Sequence, residues 1–139
     1  SPAWRFSFAN NPSRAAAKPK RQAGEEAPEM ELVCLNCDSL SENVSLCLFR
    51  VVQESVNNVL RHARASSVQV EVTHASGEVF LRVKDDGVGF EVPEQLSHLT
   101  REDRYGLAGM VERAELLSGV FVLTSSPGNG TEVGLRLPV

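Results

Sequence analysis

Two stretches carry residue types whose spacing could do chemistry together. One is Asp85-Asp86-Gly87-Val88-Gly89-Phe90, and the other is Glu54-x-x-x-Asn58-x-x-Arg61-His62. The first follows the alternating run Val79-Phe80-Leu81-Arg82-Val83-Lys84, so a carboxylate stands where a strand ends and two glycines follow one residue apart. Asp-Gly is a hairpin signal. It also suits a ligand platform: a carboxylate fixed at a strand end, beside backbone that a flat ligand can approach because no Cβ intervenes. The residues after Phe90 supply no immediate partner strand, which argues against a tight hairpin, but this stretch alone leaves both uses open.

The second stretch reads as a helix face. At ~100° per residue, Glu54, Asn58 and Arg61 fall within ~60° of one another. His62 lies beside them, and the apolar stripe Leu48, Val52, Val56, Val59 and Ala63 lies roughly opposite. Taken alone, such a face is ordinarily solvated.

The elements that must place these residues follow in order. Glu31 to Asn36 is expected to form a first strand, after which Asp38, Ser39 and Ser41 offer caps for a long helix from about Asn43 to Arg64. Val68, Val70 and Val72, then Val79, Leu81 and Val83, alternate with polar neighbours as two strands joined at Ala75-Ser76-Gly77-Glu78. From Glu91 to Tyr105 the chain turns polar and irregular, a loop of the length usually functional or mobile. Gly106-Leu107-Ala108-Gly109-Met110 is expected to open a second helix, with Leu107, Met110, Val111, Ala114 and Leu117 inward and Gly119 as its stop. A glycine-rich helix start after such a loop is a natural phosphate site. Strands from Val120 to Thr124 and from Thr131 to Leu137 close the chain around the turn Ser126-Pro127-Gly128-Asn129-Gly130.

Residues 1–30 read as a linker or weakly packed arm. Pro2, Pro12, Pro19 and Pro28, an alanine run and the basic cluster Lys18, Lys20 and Arg21 leave no regular period, although Trp4, Phe6 and Phe8 could pin a short strand. The domain proper is expected at 31–139. A chain of 139 residues, 42% hydrophobic and 23% charged, suffices for one cored domain. A net charge of -4 gives no electrostatic footprint for nucleic acid or an acidic membrane surface. No apolar run approaches a membrane span and no secretory leader is evident, so a cytoplasmic place and no membrane contact by this domain are expected. Cys34-x-x-Cys37 has the spacing of half a zinc site or a redox pair, with only Cys47 close by. Ordinary reduced cysteines are the expectation.

Four signals stand in fixed order: the helix box at Glu54 to His62, Asp85-x-Gly87-x-Gly89, Gly106-x-x-Gly109, and Gly128-x-Gly130-Thr131. Together they resemble the catalytic, ATP-binding domain of bacterial sensor histidine kinases, within the wider ATPase group that includes gyrase. The string Val51-Val52-Gln53-Glu54-Ser55-Val56-Asn57-Asn58-Val59-Leu60-Arg61-His62-Ala63 is similar to the nitrate-sensor and membrane-fluidity-sensor branch, as is Gly106 to Ala114. Tyr105 departs from the small or polar residue usual before that glycine.

The resemblance implies an α+β fold: a two-layer α/β sandwich of the Bergerat type. A mostly antiparallel sheet is covered on one face by helices, and ATP lies under a flexible lid. It implies that Asp85 accepts from the adenine amino group, with Thr131 assisting through a water. Gly87 and Gly89 admit the base and sugar, Asn58 ligates Mg²⁺, and Arg61 and His62 face the phosphates. Gly106, Leu107 and Gly109 bound the lid, and Glu54 is base or orienter for an acceptor histidine. The implied partners are ATP, a helical dimerisation and phosphoacceptor domain, and a response regulator. Of three histidines, His62 belongs to the helix box, His74 to a strand and His98 to the lid, and none has an acceptor's setting. The chain is therefore expected to be an excised, monomeric catalytic domain that binds ATP and Mg²⁺ without labelling itself. A nucleotide-gated interaction module without transfer is the alternative, and a serine kinase acting on a sigma-factor antagonist is a more distant one.

Overall fold

The computed structural model describes residues 15–17, 28–95 and 101–139. Trp4, Phe6, Phe8 and His98 lie outside them. The elements are β1 (Ala15–Ala17), β2 (Glu29–Leu35), α1 (Glu42–Asn58), a π-helical turn (Val59–Ala63), β3 (Ser67–Ala75), β4 (Glu78–Asp85), α2 (Arg101–Leu116), β5 (Val120–Ser125) and β6 (Thr131–Pro138). They form a six-stranded sheet in the order β1-β2-β3-β4-β6-β5. Among the described strands only β2 and β3 pair in parallel, and α1 is the crossover that a parallel pair requires. The other pairs are antiparallel.

Alternation decides which face of the sheet is covered. Val68, Val70 and Val72 of β3, Val79, Leu81 and Val83 of β4, and Val133, Leu135 and Leu137 of β6 are all buried. They form one core with Val44, Leu48, Val51, Val52 and Val56 of α1 and with Met110 and Ala114 of α2. The residues between them face water, where Arg82 bridges Glu71 at 3.1 Å and Glu132 at 3.5 Å across three strands. This is the expected two-layer α+β arrangement, with one helical face. The β3–β4 connection tightens to the two-residue turn Ser76-Gly77, both at positive φ (54° and 74°), the form that matches strand twist.

Ser41 is the helix cap among the three candidates, its hydroxyl accepting from the Val44 amide at 3.2 Å. The α-helical part of α1 stops at Asn58, earlier than expected. The π turn then carries Arg61 and His62, and Arg64 reverses the chain at φ 48°. A π turn is a local widening common at functional sites.

Four further expectations change. Helix α2 begins at Arg101, not Gly106, so Gly106 and Gly109 are interior helical positions and do not form a helix N-terminus. Two contacts extend the helix backward: Arg101 lies over the Tyr105 ring at 5.6 Å, one turn on, and Asp103 is held by α1's end. The left-handed residue after α2 is Ser118 (φ 58°). Gly119 is needed instead because a Cβ there would overlap Leu137 and the Arg136 carbonyl. Cys34 and Cys37 are joined as a disulfide, leaving Cys47 as the buried thiol, in place of the reduced pair expected. Finally β2 begins at Glu29, with Met30 in the core, and Ala15–Ala17 pairs with it as an edge strand inside the segment read as irregular.

Candidate functional site

The strand ends gather at one end of the sheet. Asp85 closes β4 opposite Val68, and Thr131 opens β6 opposite Ser125. Asp85 is 5% exposed. Its Oδ1 accepts from the Gly87 amide at 2.8 Å, and the Thr131 amide also donates to the carboxylate. Burial pushes this carboxyl above its ordinary value, only partly offset by the two amides. Asp86 has the opposite setting, accepting from the Ser67 and Ser66 amides at 2.9 and 2.8 Å, bonds that hold it below the ordinary value.

The loop after Asp85 is docked on the β5–β6 turn by backbone approaches that only glycine permits. Gly89 sits at φ 63°, where a Cβ would overlap the Ser126 carbonyl. Gly130 sits at φ 68°, where a Cβ would overlap the Asp85 carbonyl. The Gly128 amide donates to the Val88 carbonyl at 2.7 Å. The Ser125 hydroxyl lies at 2.9 Å from each of the Phe90 amide, the Gly130 carbonyl and Thr131 Oγ1.

The helical wall stands opposite. Arg61 donates to Asn58 Oδ1 at 2.5 Å and lies 3.6 Å from Glu54 and 3.5 Å from Asp103 of α2. His62 Nε2 is 3.0 Å from the same Asp103 oxygen. Between wall and floor is a cavity of about 120 Å³, lined by Asn58, His62, Asp85, Leu107 and Thr131 among others. Five of the expected site residues therefore share one cavity. Glu54 and Arg61 join it through the Arg61 ion pairs, and Gly87 and Gly89 support its floor. Gly106 packs against Glu54, whose carboxylate occupies the space a Cβ would take. Gly109 faces open space.

Residues not expected at the site also line the cavity, among them Ser55, Phe90, Asp103 and Met110. Ser55 is 4% exposed, donating to the Val51 carbonyl at 2.7 Å and touching Met110 Sδ at 3.6 Å. Its place on α1 beside Val52 and Val56 was legible; its use was not. Asp103 is found only through tertiary pairing.

Among the described residues no cluster of three His, Cys, Asp or Glu could cage a metal. The Asn58 carboxamide oxygen already accepts a cationic group, Arg61, so its position and polarity fit a single hard protein ligand.

Residues 43–139 match the family model described as "Histidine kinase-, DNA gyrase B-, and HSP90-like ATPase". The chain belongs to this family. The histidine-kinase-like side of the family is where its relatives fall. It is 36% identical over 98 residues to the signal transduction histidine-protein kinase/phosphatase DegS of Brevibacillus brevis, covering 70% of this chain and 24% of that protein. It is 38% identical over 92 residues to the sensor protein VraS of Staphylococcus aureus, covering 66% of this chain and 25% of that one. The chain thus spans about a quarter of the length of these curated relatives. In fold it is similar to the blue-light activated histidine kinase of Erythrobacter litoralis, with a TM-score of 0.63 at 22% identity, over 78% of this chain and 35% of that one. The ATP-binding domain of a sensor kinase is the type of module this family and these relatives define. No helix among the described residues is long and apolar enough to cross a membrane.

Proposed function

We propose that this chain binds ATP with Mg²⁺ and transfers the γ-phosphoryl group to a histidine outside the chain, as the catalytic domain of a two-component sensor kinase. One observation carries the reading. A buried carboxylate, Asp85, and a carboxamide, Asn58, line the same cavity from opposite layers, with Glu54 and Arg61 linked at its helical wall. Asp85 accepts from the adenine amino group. Asn58 would hold the Mg²⁺, which when bound neutralises phosphate charge. Arg61 and His62 exchange Asp103 for phosphate oxygens as ATP enters. Gly106, Leu107 and Gly109 let α2 follow the phosphate tail. In transfer, the bond from the γ-phosphorus to the bridging oxygen breaks, leaving ADP. A bond to an imidazole nitrogen of the acceptor forms, and Glu54 accepts or orients the proton leaving that ring. The acceptor's helical dimerisation domain, a response regulator and a cytoplasmic location complete the reading.

Calorimetry with ATP and Mg²⁺, followed by radiolabelled transfer to a supplied acceptor hairpin, tests it. Glu54→Gln is expected to keep ATP affinity and slow transfer by about 10²–10⁴-fold, the usual worth of a positioned base. Transfer at the parent rate would remove the assignment of Glu54, and nucleotide binding with no transfer by the parent would leave a gated binding module.

A further inference from the structure

The floor of the cavity contains a hydroxyl pair whose proton positions the surrounding groups determine. Ser125 Oγ lies 2.9 Å from the Phe90 amide, which can only donate, and 2.9 Å from the Gly130 carbonyl, which can only accept. A hydroxyl holds one hydrogen and two lone pairs. The Ser125 hydrogen is therefore directed at the Gly130 carbonyl, and one lone pair receives the Phe90 amide. The remaining neighbour, Thr131 Oγ1 at 2.9 Å, meets the other lone pair, so Thr131 must donate to Ser125. Reversing the pair would leave the carbonyl of buried Gly130 without this donor, and a buried acceptor left unpaired is costly.

We infer that Ser125 is a positioning residue that sets nucleobase specificity by holding Thr131 as an acceptor toward the ligand. With its hydrogen committed to Ser125, Thr131 presents only lone pairs to the cavity it lines beside Asp85. Asp85 is itself supplied by the Gly87 and Thr131 amides and presents its remaining lone pairs. Both side chains at this end then require hydrogen-bond donors, directly or through a water they orient. A 6-aminopurine supplies them from its exocyclic amine. A 6-oxopurine turns an acceptor toward acceptors, and such a mismatch at a buried polar site is a strong source of discrimination. Ser125 does not line the cavity and acts through Thr131.

This inference rests on the nucleotide-binding reading above. Its test compares ATP with inosine triphosphate, which carries an oxygen in place of the exocyclic amine. Binding of each to the 139-residue chain is measured by calorimetry for the parent, Ser125→Ala, Ser125→Thr, Thr131→Val and the Ser125→Ala/Thr131→Val pair, with circular dichroism reporting the fold. Ser125→Ala frees the Thr131 hydroxyl to rotate and donate, so the parent's ATP-to-ITP affinity ratio is expected to fall about tenfold, the worth of one hydrogen bond of reversed sense. Ser125→Thr restores the hydroxyl and is expected to restore the ratio. The double variant is expected to show the ATP-to-ITP ratio of Thr131→Val alone, because Ser125 reaches the 6-position of the base through Thr131, whereas its bond to the Phe90 amide bears on both nucleotides alike. A purely structural role would lower both affinities together and leave the ratio in place. An unchanged ratio in Ser125→Ala, or an additive double variant, overturns the assignment while leaving ATP binding intact. A parent that binds neither nucleotide overturns both readings.

Discussion

Asp85 and Asp86 are neighbours in sequence, yet the fold acts on their protonation with opposite sign. Asp86 is held below its ordinary value by the Ser67 and Ser66 amides, so the stability it contributes is present above the unfolded carboxylate range and is lost as pH falls through the depressed value. Asp85 is raised by burial, so its contribution is complete below the unfolded value and is lost as pH rises through the raised one. The ionised form of Asp85 is therefore less favourable in the folded empty domain than in the unfolded chain. Urea midpoints measured from pH 7 down to roughly pH 3, below the unperturbed Asp value, should show a shallower acid loss for Asp86→Asn than for the parent. Asp85→Asn should unfold at pH 7 at an equal or higher midpoint while its ATP affinity falls at least about tenfold. A parent-like acid limb in Asp86→Asn would show that the two amide bonds do not hold that carboxylate.

At the scale of elements, α2 and the end of α1 decide the geometry of the cavity's helical wall. The helix box was readable because Glu54 and Asn58 lie one turn apart on regular α-helix. The π turn that follows was not, since a widened turn has no marker in residue type. The start of α2 at Arg101 depends on Asp103 meeting Arg61 and His62, residues about forty positions earlier, and no local pattern reports such a pairing. Two glycines of α2 now separate packing from propensity. Gly109 faces open space, so Gly109→Ala should stabilise the domain by about 1 kcal/mol through helix propensity. Gly106→Ala gains the same propensity but must push the Glu54 carboxylate aside. It should change the melting temperature little and slow phosphotransfer in the manner of Glu54→Gln. Thermal melts and the transfer assay check both. A Gly106→Ala protein with parent transfer would show that Glu54 works from a position α2 does not constrain.

Across the whole molecule, the site and the disulfide occupy opposite ends of the sheet. Asp85 is in register with Val68 at the start of β3, and Cys34 with Val72, four residues further on. At about 3.3 Å per residue that is roughly 13 Å of strand. Cys34–Cys37 closes a very short loop, so its reduction should lower stability by at most about 2 kcal/mol on a chain-entropy basis. ATP affinity should not change, because nothing at Asp85, Thr131 or Asn58 rests on that bond. Denaturation and calorimetry with and without reductant read both, and a lost affinity on reduction would couple the two ends.

The sequence by itself determined most of the strands, the long helix, the turn glycines and five of the side chains that line the cavity. Those features are written in local alternation, helical period and backbone demands that a single residue type satisfies. Only the tertiary structure decided that Ser118 and not Gly119 adopts the left-handed turn, that α2 starts at Arg101, and that Ser125 hands its one hydrogen to Gly130. Each of those depends on a partner brought close by folding, and neither composition nor period records which donor will face which acceptor.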